Sequence, residues 1–199
     1  MSILQSMEIV SGMSYVNELF KEMIFEGDVL FGCSFQNCAF LTCRFDRTNL
    51  MGVEFSDVIF DRCEWNLANV AGCDLRSVTF KDCKLVGINF TKCHAHLFHL
   101  DFDNCLIDTC NFSLLKLKKT AFIKCIIRES RFIETILTES TFEYADLENT
   151  IFHQCDLEKV DFSHARNYLI DPMVNKMKGA IFSLPEAISL LSGLGITLK

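Results

Sequence analysis

The chain has 199 residues and a formal net charge of -7, with 26 acidic residues against 19 basic ones. This length is enough for one domain with a substantial core, and the sequence has no run of about 20 apolar residues, which a membrane helix would need. Nonspecific nucleic-acid binders neutralise phosphates with basic side chains. The acidic balance therefore argues against direct nucleic-acid binding and is compatible with a protein partner that has a basic surface.

Residues 1–19 are predicted to form an N-terminal cap or degenerate repeats, because Val10 and Tyr15 fit the period that becomes regular after them. Residues 1–14 lack a basic segment followed by an apolar core, so no signal peptide is expected. Cytoplasmic residence is the default expectation.

From residue 20 to residue 165 an apolar residue recurs at every fifth position, through 29 centres that hold 16 of the 19 phenylalanines and, apart from Ala95, are all large. A two-residue slip in phase falls near 96–101. A small residue, most often Cys, Ala, Val, Thr or Ser, lies two positions before most centres. A period of five fits neither a helix nor a strand. It predicts a chain that turns a corner every five residues, points both series inward and stacks its coils at about 4.8 Å.

All 11 cysteines belong to the inward series of small residues. A zinc site needs four converging ligands, often in closely spaced pairs, and no Cys-x-x-Cys occurs in the sequence. The cysteines are therefore interpreted as small buried hydrophobic residues, and metal binding is the rejected alternative.

Several repeats carry a family resemblance. Residues 43–47, 145–149 and 155–159 are Cys-Arg-Phe-Asp-Arg, Ala-Asp-Leu-Glu-Asn and Cys-Asp-Leu-Glu-Lys, and they resemble the pentapeptide-repeat family. The resemblance implies an all-β fold, a right-handed quadrilateral β-helix with four repeats per coil. On that geometry the 29 repeats form seven coils and part of an eighth, in a rod roughly 35 Å long.

The slip lies beside a cluster of histidines, His94, His96 and His99. Phe98 and His99 behave as a two-residue insertion, and they are the candidate bulge. Bulges often mark functional surface; the alternative is a simple correction of register. The histidines are interpreted as outward residues of an irregular coil in preference to a metal or catalytic site.

Charge is unevenly distributed along the second half of the chain. Residues 129–161 contain nine acidic and two basic residues, whereas 116–128 contain five basic residues and no acidic one. Some of these charges should pair between adjacent coils, as Lys119, Glu139 and Lys159 would if each coil holds four repeats. The remaining acidic residues form the candidate acidic interaction surface: Glu134, Glu143, Asp146, Asp156 and Asp161.

Residues 166–199 are predicted to cap the end of the rod, because an uncovered last coil would be an open edge. Ser183 to Glu186 has the spacing of a capping box, so a short α-helix is expected at about 184–192. Its apolar residues are the candidate dimer or cap residues: Ala187, Ile188, Leu190 and Leu191. Quinolone-resistance and microcin-immunity members of the family dimerise through this end, so the resemblance implies a homodimer. Capping of a monomer is the alternative.

The same resemblance implies a function without catalysis. Qnr-type and microcin-immunity proteins protect bacterial DNA gyrase from poisons and are described as DNA mimics. A modulator or protector of gyrase or another type II topoisomerase is therefore expected, and the alternative is a protein-interaction scaffold with an unrelated partner. No enzyme, cofactor or membrane partner is expected, because the sequence has no phosphate-binding glycine loop, nucleophile elbow or His-Glu-x-x-His motif.

Overall fold

The computed structural model describes residues 9–27, 30–94 and 98–194. Within these ranges the chain forms short strands and two 3₁₀ helices, Phe90–Lys92 and Glu186–Leu194. The strands, in chain order, are β1 Ser14–Val16, β2 Leu19–Lys21, β3 Ile24–Phe25, β4 Ser34–Gln36, β5 Ala39–Leu41, β6 Arg44–Asp46, β7 Glu54–Asp61, β8 Glu64–Asn66, β9 Asp74–Lys81, β10 Lys84–Val86, β11 Leu100–Asp103, β12 Leu106–Asp108, β13 Phe122–Ile123, β14 Ile126–Arg128, β15 Arg131–Ile133, β16 Ile151–His153, β17 Asp161–Phe162 and β18 Ile181–Phe182.

These strands pair in parallel, and outside the slip each residue lies opposite the residue 20 positions later. Tyr15 lies opposite Phe35, and Phe35 lies opposite Phe55. A parallel register that advances equally at every turn stacks the chain as coils of a solenoid. There are about eight coils, which gives a length of roughly 38 Å at the strand spacing of about 4.8 Å. The predicted all-β solenoid is confirmed, and the right-handed winding stays a prediction.

Each coil has four sides, and the sides stack into four faces that we name by their inward centres. Face 1 has the centres Tyr15, Phe35, Phe55, Leu75, Leu117, Leu137, Leu157 and Met177. Face 2 has the centres Phe20, Phe40, Phe60, Phe80, Phe102, Phe122, Phe142, Phe162 and Phe182. Face 3 has the centres Phe25, Phe45, Trp65, Leu85, Ile107, Ile127 and Leu147. Face 4 has the centres Leu30, Leu50, Val70, Phe90, Phe112, Phe132 and Phe152.

A single residue makes each corner. In nearly all described repeats the residue two positions after the centre has a φ between 49° and 75°, and most of these residues are not glycine. Left-handed backbone in a non-glycine residue costs roughly 1–2 kcal/mol. The chain therefore bends without many glycines or prolines, and packing of the two inward series must offset the strain at the corners.

The core is continuous along the rod. On face 2 the phenylalanine rings stack from Phe20 to Phe182 with centroid distances of 4.7 to 5.2 Å. The small residues fill the space beside each corner, and their polar atoms join neighbouring coils. The backbone N–H of Cys43 donates to the sulfur of Cys63 at 3.3 Å, and the thiol of Cys63 donates to the carbonyl of Phe40 at 3.2 Å.

The register between adjacent coils lengthens by two positions at the slip. The backbone N–H of His94 still bonds to the carbonyl of Cys73, whereas Leu100 lies opposite Val78. The two extra residues therefore enter between His94 and Leu100. Residues 95–97 lie outside the described residues, and residues 96 and 97 belong to the predicted slip at 96–101. Parallel pairing is regular up to His94 and resumes at Leu100, so the insertion does not interrupt the ladders on either side of it.

The last coil differs from the prediction. Pairing continues past residue 165 to β18, and Phe182 stacks on Phe162 at 5.0 Å. Phe182 is thus an inward centre, and the repeat boundary at 165 was placed too early, because Asn167 and Pro172 interrupt the apolar series before Met177 restores it. None of the helices in the described ranges has the length and apolar content needed to cross a membrane.

The C-terminal helix is a 3₁₀ helix, Glu186–Leu194, and not the expected α-helix. Three residues per turn place Ala187 above Leu190, both of them half-buried. The predicted capping box does not form, because the Ser183 hydroxyl accepts the N–H of His164 at 3.1 Å. The serine therefore ties the helix start to the preceding coil.

Candidate interaction surface

The five acidic residues predicted as one surface lie on different sides of the rod. Glu143 and Asp161 both belong to face 2, in adjacent coils, beside Phe142 and Phe162. Asp156 belongs to face 1, Asp146 belongs to face 3, and Glu134 forms the corner between face 4 and face 1. The structure therefore brings Glu143 and Asp161 to one face and Glu134 and Asp156 to one groove, and it separates Asp146 from both pairs.

Asp146 is not available to a partner. It is 7 % exposed, its carboxylate lies 3.1 Å from the guanidinium of Arg166, and it accepts the side-chain N–H of Asn167 at 2.7 Å. Arg166 lies directly opposite it in the next coil. The negative charge of Asp146 thus belongs to the last coil and contributes little to the outer surface.

Other charges form columns between coils, as expected. Glu139 lies between Lys159 and Lys119, at 3.4 and 3.6 Å. The hydrogen bond from Lys159, with the charges of both lysines, lowers the pKa of Glu139. Arg128 pairs with Glu148 at 3.4 Å. These pairs are exposed, so solvent screens them and each adds little to the stability of the rod.

The cysteines lie inside the rod. All 11 are free thiols and all are buried. Burial raises the pKa of Cys93 and of Cys110 to about 12, with the charge of Asp74 contributing at Cys93 and that of Asp108 at Cys110. Because the thiolate is the reactive and metal-binding form, these side chains are inert packing groups at neutral pH. The part of the chain that the structure describes has no group of three or more residues arranged to hold a metal ion.

The candidate bulge does not project from the rod where it is described. Phe98 is half-buried and packs against the core. His99 lies 3.2 Å from the carboxylate of Asp101, and its backbone N–H bonds to the carbonyl of Leu75. His94 makes a similar contact with Asp74 at 3.3 Å. His96 lies outside the described residues.

The four candidate cap residues have different environments. Leu190 packs against the core, Ala187 and Leu191 are half-buried, and Ile188 is 46 % exposed. The helix therefore covers part of the last coil and leaves one large apolar side chain in solvent.

Sequence reasoning missed a groove on face 4. It has a volume of about 630 Å³ and lies between β16 and the segment 169–174. Its apolar walls come from Ile133 and Ile151 on one side and from Leu169 and Val174 on the other. The signal was present in the sequence: Asn167 and Pro172 occupy the two centre positions at which the apolar series fails.

Comparisons with known proteins agree with this architecture. A sequence profile described as pentapeptide repeat region matches residues 19–90, and one described as pentapeptide repeats (8 copies) matches residues 116–154 and 135–166. Together they match more than half of the chain. A search of curated proteins finds no match.

One solved structure shares the fold. A trypsin-treated form of QnrB1, a plasmid-mediated fluoroquinolone resistance protein, matches with a TM-score of 0.54 and 16% identity, over 96% of this chain and 93% of that chain. A second trypsin-treated form of QnrB1 has a TM-score of 0.46 and 20% identity, over 94% and 100% of the two chains. HetL, a pentapeptide repeat protein involved in heterocyst differentiation regulation from the cyanobacterium Nostoc sp. strain PCC 7120, has a TM-score of 0.37 and 12% identity, over 87% and 86%.

Proposed function

Because this chain belongs to the pentapeptide-repeat family, we propose that it is a non-enzymatic binding protein that recognises another protein through the outer surface of the rod. One observation supports this role: the solenoid buries both inward series, including all the thiols, and leaves a regular array of outward side chains. Such an array is a binding surface. Free thiols throughout are consistent with a reducing compartment such as the cytoplasm.

The finer proposal is that the partner is DNA gyrase or another type II topoisomerase, and that the rod imitates DNA. Residues 129–161 carry a net charge of -7. This segment spans less than two coils, which is about 8 Å along the rod axis at about 4.8 Å per coil. Duplex DNA carries one negative charge per ~1.7 Å, so the acidic segment has a comparable charge density over this short length.

The distribution of the acidic residues bears on the imitation of a duplex. Glu134, Asp156, Glu143 and Asp161 lie in two successive coils, from the corner between faces 4 and 1, across face 1, to face 2. They present negative charge on one side of the rod, as one side of a duplex does. A basic DNA-binding surface would meet these carboxylates when faces 1 and 2 are turned towards it. The shared fold with a fluoroquinolone resistance protein adds a reason to test this enzyme class.

A supercoiling assay tests the finer proposal. Purified protein is added to DNA gyrase with and without a quinolone, and we expect either recovered supercoiling in the presence of the drug or inhibition without it. The double variant Glu134→Lys, Glu143→Lys should weaken the effect at least tenfold. The matched control, Glu22→Lys with Glu26→Lys, changes the net charge equally in the first coil and should leave the effect intact. No effect at micromolar protein would remove topoisomerases as the partner.

A scaffold with an unrelated partner is the second candidate, and one observation favours it. The chain just before the acidic segment carries exposed Lys116, Lys118 and Lys124, which a plain imitation of DNA would not need. A partner with both acidic and basic patches fits this sequence of charges. The scaffold would be supported if the Glu134→Lys, Glu143→Lys variant still bound its partner while the Lys116→Glu, Lys118→Glu variant did not.

We also propose a homodimer through the C-terminal end, based on the exposure of Ile188 beside the last coil. Sedimentation equilibrium should show a dimer that Ile188→Asp converts to a monomer. The matched control is Ile24→Asp, since Ile24 is 62 % exposed at the other end of the rod. A monomer at all concentrations would leave the 3₁₀ helix as a cap alone.

A further inference from the structure

The final coil lacks one of its four strands. Its residues pair with the previous coil on three faces: Arg166 with Asp146, Lys176 with Asp156 and Ile181 with Asp161. On face 4, β16 is paired with β15 on one side. Within the described range 98–194, no residue of 169–174 pairs with the other side of β16.

Local sequence explains the missing strand. Asn167 and Pro172 stand where the repeat requires large inward residues, so the side chains that would hold this part of the coil in the core are absent. The chain instead buries Tyr168 and Ile170. It then turns outward at Asp171, whose carboxylate accepts the N–H of Met173 at 2.8 Å. The segment therefore leaves the ladder and rejoins it at Lys176.

This departure leaves an open edge on β16. Two coils earlier on face 4, the N–H of Phe112 donates to the carbonyl of Arg131, and the N–H of Leu114 donates to that of Ile133, both at 2.9 Å. The equivalent N–H groups belong to Phe152 and Gln154, and segment 169–174 supplies no acceptor for them. The carbonyl of Phe152 is occupied, because Asn175 donates to it at 3.1 Å.

The open edge forms the floor of the face 4 groove. Phe152 and Thr150 line the groove, and both are 4 % exposed, whereas Phe132 in the coil before is 0 % exposed. Leu169 is 71 % exposed and Ile151 is 46 % exposed, so both apolar walls face solvent. The volume of about 630 Å³ is in the range of clefts that bind ligands, roughly 300–1,000 Å³.

Charge at the groove is one-sided. Among the described residues, Glu129 and Asp171 line it and no lysine or arginine does, so His153 alone in the lining can become cationic. A second copy of this chain is a poor occupant, since its own equivalent edge would bring the same two carboxylates. An occupant with a lysine or arginine gains from both.

We propose that this groove binds an extended segment of a partner protein, which adds to β16 as a strand. Its backbone carbonyls accept the free N–H groups of Phe152 and Gln154. Alternate apolar side chains contact Ile151 and Leu169, and a lysine or arginine faces Glu129 and Asp171. Strand addition of this kind draws affinity from the main chain and specificity from side-chain pockets. The inference rests on the proposed role as a protein-binding rod, and it names one place where a partner is held.

Fluorescence anisotropy with a defined peptide tests it. The probe is a fluorescein-labelled peptide, Gly-Gly-Lys-Val-Thr-Ile-Thr-Val-Lys, added to the full chain at low salt. We expect saturable binding. Hydrogen exchange of the Phe152 and Gln154 amides should slow when the peptide is bound. A second peptide, N-methylated at every internal residue so that the methyl groups obstruct both edges, should bind at least tenfold more weakly. Equal binding of the two peptides would overturn strand addition.

Matched variants separate the groove from general apolar adhesion. Leu169→Asp should weaken peptide binding at least tenfold. Leu114→Asp is the control, because Leu114 is 69 % exposed and lies outside the groove; it should change binding less than twofold. Asp171→Asn should weaken the lysine peptide and leave a peptide with glutamine in place of both lysines unchanged. Equal loss in the Leu169 and Leu114 variants would overturn the site.

The remaining outcomes are also decisive. If removal of residues 195–199 raises peptide affinity tenfold, the chain's own tail occupies the groove, and the partner segment is refuted. If peptide binding is absent while the supercoiling effect persists, the groove proposal fails and the proposed function stands. If peptide binding is present and the supercoiling effect is absent, the groove proposal stands and the topoisomerase proposal fails.

Discussion

Because the rings on face 2 stack in a column, a phenylalanine in the middle of such a column should contribute more to the free energy of unfolding than one at the end. Phe122 is 0 % exposed and stacks on Phe102 at 5.0 Å and on Phe142 at 4.7 Å. Phe152, the last centre of face 4, is 4 % exposed and has a single stacked partner, Phe132, at 5.0 Å. Both residues also have edge-on neighbours, so the stacked partner is the main difference between them.

The size of the effect follows from general costs. Truncation of a buried phenylalanine to alanine destabilises by about 3–5 kcal/mol, and an aromatic pair contributes about 0.5–1.5 kcal/mol beyond the area it buries. We therefore expect Phe122→Ala to lower the free energy of unfolding by about 5 kcal/mol and Phe152→Ala to lower it by about 1 kcal/mol less. Phe122→Leu should cost less, about 1–2 kcal/mol, since leucine fills the equivalent centre on face 1.

Urea denaturation followed by circular dichroism measures these differences, and the fluorescence of buried Trp65 reports on coils distant from both sites. Coincident transitions by the two probes would show that the rod unfolds as one unit. An equal or larger loss for Phe152→Ala than for Phe122→Ala would refute the reasoning, because the stacked partner would then contribute nothing.

Three further predictions concern thiols, the buried carboxylate and the corners. The native cysteines should not react with a thiol reagent at pH 8 until urea unfolds the chain. Folding raises the pKa of Cys93 and Cys110 to about 12 from 9.0. The free energy of unfolding should therefore be constant below about pH 9 and fall between pH 9 and 12, as urea midpoints measured across this range would show. Rapid labelling of the folded protein would contradict their burial. Asp146→Ala should lower the free energy of unfolding by about 1–2 kcal/mol, since it removes two charge-assisted hydrogen bonds but Arg166 is largely exposed. The control Glu148→Ala breaks an exposed pair and should lower it by less than about 0.5 kcal/mol. Equal losses would argue against a structural role for Asp146. Gly52→Ala and Gly87→Ala place alanine at φ values of 70° and 68°, and this left-handed backbone should lower the free energy of unfolding by about 1 kcal/mol in each variant. The added carbon at Gly87 meets only the end of the Leu67 side chain, which can move aside, and at Gly52 it meets nothing. A much larger loss at Gly87 in thermal melts would show that Leu67 is held in place.

The sequence predicted the inward residues well, because burial and period are linked directly. A side chain at every fifth position can share one interior only if the backbone turns between centres, so Phe20 to Phe162 could be placed from the sequence. The corner conformation could not be read from residue type, since Asn37, Arg62 and Lys119 all adopt left-handed backbone. Their φ is imposed by the stacked neighbours.

The ends and the surface were less predictable. Met177 and Phe182 continue the period, but two unsuitable residues, Asn167 and Pro172, hid it. The acidic residues were grouped by nearness in sequence, whereas partners in a solenoid are separated by one full coil. Asp146 and Arg166 have that separation, so their pairing was visible in principle. The open edge of β16 depends on the path of 167–174, which no local pattern specifies.

The constant advance from each coil to the next limits how this protein can change its length. Removal or duplication of a whole turn would bring identical columns back into contact and preserve every ladder. A gain or loss of any other size changes the register between adjacent coils, as the two additional residues between His94 and Leu100 do. An insertion or deletion in the gene that preserves the ladders is thus a multiple of about sixty nucleotides, and each such unit changes the length of the rod by roughly 4.8 Å.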